Sequence, residues 1–202
     1  MVKYNPVDPS SDRSVRLITI GHGTISADEL VHLLEDAGVQ IVVDVRSAPG
    51  SRRHPQFGLH ELECSLPAKG IDYRWEPDLG GFRRLLPGSP NIGLRHPSFR
   101  GYADYMASGS FERALTRLLD EARSKVTAIM CAETLWWRCH RRLVADAAEL
   151  VYGAQVWHLD HRGQLLPHRL TDGVSLESGH PIYLGSAAGR EAGARPQDRC
   201  VN

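Results

Sequence analysis

Cys131-Ala132-Glu133 followed by Cys139-His140-Arg141 is the densest set of reactive side chains in the sequence. If a helix begins after Cys139, the positive end of its dipole favours the thiolate, and the cysteine can act as a nucleophile. Arg141 then offers a planar fork for phosphate or carboxylate, and Glu133 a carboxylate for proton transfer. The same residues also admit a structural role. Cys131 would end a buried strand, Cys139 would cap the helix, and Glu133 would pair with Arg141. A third option is zinc held by Cys131, Cys139, His140 and a distant histidine, although the paired short spacing of a structural zinc site is missing.

Three further constellations carry chemistry. In Gly21-His22-Gly23-Thr24 the glycines allow a sharp turn beside a ligand. His22 could move a proton there, or make a structural hydrogen bond in a tight turn. Asp44-x-Arg46 places two charges on one face of a strand end. They are either an ion pair or a hold on a ribose hydroxyl and an anion, with Arg52 on the following turn as a phosphate ligand. Glu76 precedes Leu79-Gly80-Gly81 and could be a base beside a close backbone approach, or part of a plain turn. Tyr102 and Tyr105 lie about one helical turn apart and could stack on a base, or simply fill core. His158 and His168 could each reach the site or hydrogen-bond ordinarily. Expected catalytic groups are therefore His22, Glu76, Glu133 and Cys139. Expected substrate-binding groups are Gly21, Gly23, Asp44, Arg46, Arg52, Arg141 and Tyr102, and no metal is assigned.

Of two named chemistries, one lacks a required motif and the other is only weakly signalled. Cys-Ala-Glu looks like the ligand-and-acid triplet of zinc deaminases, but those need a later Pro-Cys-x-x-Cys pair and none follows Glu133. Val43-Asp44-Val45-Arg46 looks like a rhodanese strand. The six residues between Cys131 and Arg138, however, include two tryptophans and no glycine, a poor cradle for an anion.

The elements that must position these groups follow from periodicity. Arg16–Ile20 is a short apolar strand. Ser26 and Glu29 form a capping box ahead of a helix over 27–37, stopped by Gly38. Gln40–Val45 is a β-branched run suited to a strand buried on both faces. A weaker helix covers 59–69, and a third strand 71–75. Residues 76–100 form a long basic loop, of a kind that is functional or mobile. An amphipathic helix over 111–123 leads to a strand over 126–131, a helix over 139–151 and a last strand over 155–159. Alternation of strands and helices predicts an α/β, Rossmann-like three-layer sandwich with a mostly parallel sheet of about five strands. Ligands of such sheets bind at the carboxyl ends of the strands. Residues 1–14 are expected to be a flexible arm, 15–170 the single domain and 171–202 a poorly ordered tail.

The chain has 202 residues, 42% of them hydrophobic, enough for one sizeable core. Its 24 basic and 24 acidic residues balance, so net charge argues for no particular partner. Locally, residues 46–100 hold eight arginines and one lysine against five acids. This stretch suits phosphate, or reflects an arginine-rich codon usage. The four cysteines show no disulfide-framework spacing, and with no leader visible a reduced cytoplasmic setting is expected. No run is long and apolar enough for a membrane span.

The sequence resembles the domain of unknown function 488 family over roughly residues 15–170. The matching stretches are TIGHGTISADEL at 19–30, VVDVRSAPGSRRHPQF at 42–57 and GIDYRWEPDLGG at 70–81, then GYADYM at 101–106, MCAE at 130–133 and CHRRLVAD at 139–146. The resemblance implies a Rossmann-like sandwich and supplies no reaction and no catalytic residues. Where relatives are polar between Glu133 and Cys139, this chain has Leu135-Trp136-Trp137, which could line a pocket, pack inward or meet a partner. The expected function is an enzyme, a hydrolase or a glycosidic-bond-cleaving one, acting on a nucleotide-like or nucleic-acid-derived anionic substrate at the carboxyl ends of the strands; the expected partner is a small anionic ligand or nucleotide, with nucleic acid as a further option. The alternative is a non-enzymatic nucleic-acid-binding or metal-binding module. Cofactor and oligomeric state are left open.

Overall fold

The computed structural model describes residues 15–50 and 53–185. The expected arm over 1–14, Arg52 and the stretch 186–202 lie outside the described residues. Strand β1 (Arg16–Gly21) leads through Ser26 into helix α1 (Ala27–Asp36). The capping box forms: Glu29 N–H donates to Ser26 Oγ and Ser26 N–H to Glu29. Strand β2 (Ile41–Asp44) follows, then helix α2 (Leu59–Ser65), a 3-10 turn over Pro67–Lys69, and strand β3 (Asp72–Trp75). Helices α3 (Pro97–Met106) and α4 (Gly109–Ala122) precede strand β4 (Thr127–Cys131). Helix α5 (Arg141–Tyr152) and strand β5 (Gln155–Leu159) complete the repeating pattern.

The sheet has the order β3-β2-β4-β1-β5-β6, in which β6 (Leu165–Pro167) is an antiparallel edge and the other pairings are parallel. The expected five parallel strands are present and gain one edge strand. Alternate residues of each strand enter different cores. Leu17, Val43, Ile129 and Cys131 join the side covered by α3, α4 and α5. Ile20, Val42 and Met130 join the side covered by α1 and α2. This is the α/β three-layer sandwich expected from the alternation.

Three features depart from the sequence reading. Residues 97–106 are helical, so the long loop ends sooner. Its remainder is tied to α3, because Asp104 accepts from Leu86 N–H, Ser89 O–H and Asn91 Nδ2–H. Residues 171–185, placed in a tail, carry a hairpin of β7 (Val174–Glu177) and β8 (His180–Tyr183). Its strands are only four residues long, β7 is mostly exposed, and Pro181 in β8 removes a ladder donor, so no strand pattern stands out. Tyr183 anchors it: its hydroxyl donates to Asp146 at 3.0 Å and its N–H to Asn91 at 3.0 Å. Among the described residues, no helix is long and apolar enough to cross a membrane.

Candidate active site at the carboxyl rim of the sheet

Gly21 at the end of β1 pairs with Cys131 at the end of β4. From β1 the chain leaves through α1 on one face and runs to β2. From β4 it leaves through α5 on the other face and runs to β5. The two connections cross the β1–β4 pair on opposite faces, and ligands of such sheets bind at the carboxyl ends of the strands. The rim therefore gathers Gly21, His22, Asp44, Arg46, Cys131 and the start of α5, as the sequence reading required. The sheet nevertheless divides them into two clusters.

On the α5 face, Cys131 and Cys139 are both buried and adjacent. His140 Nε2–H donates to the Val45 carbonyl at 3.0 Å. A carbonyl only accepts, so this bond fixes the tautomer and leaves Nδ1 turned toward Cys139 Sγ, 3.6 Å away. Arg141 Nε–H donates to the same sulfur at 3.4 Å. The bond from the Cys131 thiol to Cys139, with burial, pushes the Cys131 thiol well up. Burial acts to raise the Cys139 thiol too, but the Cys131 bond, His140 and Arg141 outweigh it and bring it well down. Helix α5 has no side-chain cap at His140, so the positive end of its dipole adds to the same effect.

Arg141 is 1% exposed and cannot swing out to a substrate. Its Nη2 donates to the Glu133 carbonyl, and its Nη1 to Thr19 Oγ1 at 3.3 Å. From there a line of hydrogen bonds runs inward. Thr19 O–H donates to His158 Nδ1 (2.7 Å), His158 Nε2–H to His168 Nδ1 (3.0 Å), and His168 Nε2–H to Asp146 (3.0 Å). Each ring uses one donor and one acceptor, so the line is satisfied in one direction throughout. Burial, then the charges of His168 and Arg141, lower the pKa of His158 to about 3. Trp136 stacks on it at 4.0 Å and 5° between planes. Part of the apolar Leu135-Trp136-Trp137 stretch therefore packs inward, while Trp137 stays 48% exposed.

On the α1 and α2 face, Asp44 is wholly buried and holds Arg46 through Nε at 2.9 and 3.0 Å. Tyr73 O–H adds a bond to Asp44 at 2.7 Å. His22 donates from Nδ1 to the Gly23 carbonyl (3.0 Å) and accepts at Nε2 from Arg46 Nη1 (3.3 Å). Its ring stacks on Phe57 at 4.1 Å. Burial and then the Arg46 charge lower its pKa to about 4. Both ring nitrogens are thus occupied in the neutral form, and the pair Asp44–Arg46 closes on itself.

The remaining expected residues take structural positions or border the α5 cluster. Glu76 is gripped by Arg74 Nη1 (2.9 Å) and Arg117 Nη2 (3.1 Å), away from both clusters. Tyr102 is buried, donates to the Leu79 carbonyl at 2.7 Å and packs its ring 5.1 Å from that of His140. It supports the site from below and offers no face for stacking. The Glu133 side chain is exposed at the mouth and accepts from Leu135 N–H at 3.2 Å. At Gly21 an added Cβ would lie 1.8 Å from the Glu133 carbonyl oxygen, and at Gly23, where φ is +52°, 2.1 Å from Thr134 Oγ1. Both glycines serve close packing of the rim on the 133–134 loop. In the basic stretch, Arg46, Arg74, Arg83 and Arg100 all bond internally.

His140, Thr19 and Gly81 are the site residues that residue types alone did not single out as catalytic. His140 appeared only as a potential zinc ligand, although its adjacency to Cys139 was visible. The Gly80-Gly81 turn crosses to this corner, where Ser47 O–H donates to the Gly81 carbonyl at 2.8 Å. A groove of about 440 Å³, lined by Glu149, Gly153, Val156, Trp157 and Leu170, lies along the amino end of β5, away from the rim.

Comparison with curated proteins and with solved structures gives no match. A family model described as Domain of unknown function DUF488 matches residues 26–148. The match starts at the N-cap of α1, excludes His22, and takes in Asp44, Arg46, Cys131, Cys139, His140 and Arg141. It covers more than half of the chain, and the protein belongs to the DUF488 family.

Proposed function

We propose that the protein is an enzyme that hydrolyses a small anionic, nucleotide-like substrate at the Cys131–Cys139–His140 corner. One observation carries the reading: a backbone carbonyl orients His140 so that its free ring nitrogen faces a thiol that Arg141 holds from the other side. A reactive group, a base and a group that orients the base form the arrangement by which side chains are activated. A purely structural cysteine needs none of the three.

Affinity for an anion comes from the start of α5, where no side chain caps the helix and Arg138 is exposed. The nucleotide-like character rests on two exposed rings beside the corner. Phe82 follows Gly81, is 92% exposed and has a positive φ of 54°. Trp137 lies two residues before Cys139. An aromatic face left in water beside a cationic site suits a nucleobase.

The test is turnover of a panel of nucleosides and nucleotides, followed by chromatography, for wild type and Cys139→Ala. The expected result is product from wild type and loss of at least about a hundredfold in the variant. Phe82→Ala and Trp137→Ala should raise KM with kcat little changed. Absence of turnover together with absence of nucleotide binding at millimolar concentration would remove the proposal.

A further inference from the structure

We propose that Cys131, Cys139 and His140 are the protein ligands of a zinc-class divalent cation whose fourth coordination position is open. Binding of the ion does not depend on the enzyme reading above; in the ion-bound form Cys139 and His140 are ligands and no longer a nucleophile and its base, so any catalysis would pass through the open position. The Cys131 and Cys139 sulfurs and a His140 ring nitrogen all lie within 4.8 Å of one another. Two thiolates and an imidazole are the donors that zinc prefers.

The spacing fits the ion. With a Zn–S bond of about 2.3 Å and a Zn–N bond of about 2.0–2.1 Å, the S···N edge of a tetrahedron is about 3.6 Å. Cys139 Sγ and His140 Nδ1 are 3.6 Å apart. The surroundings fit as well. A metal-bound histidine ordinarily donates its other ring N–H to a carbonyl or carboxylate. His140 does so to Val45 at 3.0 Å. The Arg141 Nε–H on Cys139 Sγ is the kind of donor that stabilises a liganding thiolate.

Gly81 is an independent sign. A Cβ there would stand 3.0 Å from His140 Nδ1, the nitrogen that would coordinate. Its φ is not positive, so no turn geometry demands glycine, and what its missing side chain provides is room beside the donor atom.

Among the described residues, no fourth histidine, cysteine or acid joins the group. Structural zinc sites have four protein ligands, and catalytic ones have three plus water or substrate. The set here is of the second kind. Two thiolates neutralise a divalent ion, and Arg141 adds one positive charge, so the corner would favour an anionic oxygen at the open position.

The experiment uses the full chain, reduced, stripped with a chelator and titrated with Zn²⁺ or Co²⁺ alone. The expected result is about one ion per chain, with the near-ultraviolet charge-transfer absorption of thiolate-bound cobalt. That absorption should vanish in Cys139→Ser and weaken in Cys131→Ser. Gly81→Ala keeps every ligand and should weaken Zn²⁺ binding about 10- to 100-fold, as outer-shell changes do. In wild type, Zn²⁺ should slow alkylation of Cys131 and Cys139 and leave that of the exposed Cys64 unchanged. No charge-transfer band in folded wild type, or a band that persists in both serine variants, would overturn the proposal. Loss of turnover in Cys139→Ala of a chain that binds no ion would remove the metal and leave the enzyme reading. A bound ion without nucleotide turnover would do the reverse.

Discussion

At the α1 and α2 face, Asp44 and Arg46 show how a pair with catalytic residue types can be structural. Both charges are buried and each satisfies the other. Removing one side leaves the other without compensation, which costs about 3–5 kcal/mol. Asp44→Ala should therefore lower the urea unfolding free energy by about that much. A variant that kept its stability and lost only activity would show that Asp44 serves the substrate instead. Gly21→Ala tests the rim from the other side. Its Cβ would meet the Glu133 carbonyl and Arg141 Nη2, so the 133–141 loop must move. A loss of several kcal/mol is expected, with altered Cys139 reactivity in any folded fraction. Residue types in the sequence identified the rim because acids, histidines, thiols and arginines follow strand ends. They could not show which side of the sheet each would take. One residue of register decides that, and it separated His22 and Arg46 from Cys139.

At the scale of elements, β1, β5, α5 and the hairpin are joined by the line from Arg141 to Asp146. Asp146 receives His168 Nε2, Thr171 N and Oγ1, and the Tyr183 hydroxyl. Tyr183→Phe removes one donor to a buried carboxylate and should cost about 1–3 kcal/mol in thermal or urea unfolding. His158 sets a pH dependence. Its folded pKa is about 3 against an ordinary 6.5, so the unfolded chain takes up the extra proton first. The stabilisation is complete above about pH 6.5 and is lost as pH falls toward 3, by up to about 1.4 kcal/mol per unit. Urea midpoints measured across that range should fall steadily, and Trp136 emission should report the change because its ring lies on His158. A flat profile would show that His158 is not held neutral. The strands and the helices α1, α4 and α5 were legible because their apolar periodicity is strong. Helix α3 was not, since His96-Pro97 begins it inside a loop-like composition. The hairpin was not, because what holds it is Tyr183 reaching Asp146, 37 residues away.

For the whole molecule, the net charge is balanced, and Arg46, Arg74, Arg83 and Arg100 of the basic stretch bond internally. On the proposed function, affinity comes from one local cationic corner. At the carboxyl ends of β1 and β4 the chain leaves the rim on opposite faces of the sheet. The Gly80–Phe82 turn, the 133–140 loop and the first turn of α5 converge there on Cys131, Cys139 and His140. The most direct measurement is a titration of the isotope-labelled chain with a nucleoside monophosphate, followed by amide chemical shifts. The account predicts that shifts concentrate in residues 80–83 and 131–142. Shifts confined to the His22, Asp44 and Arg46 cluster, or to the groove along the amino end of β5, would contradict it.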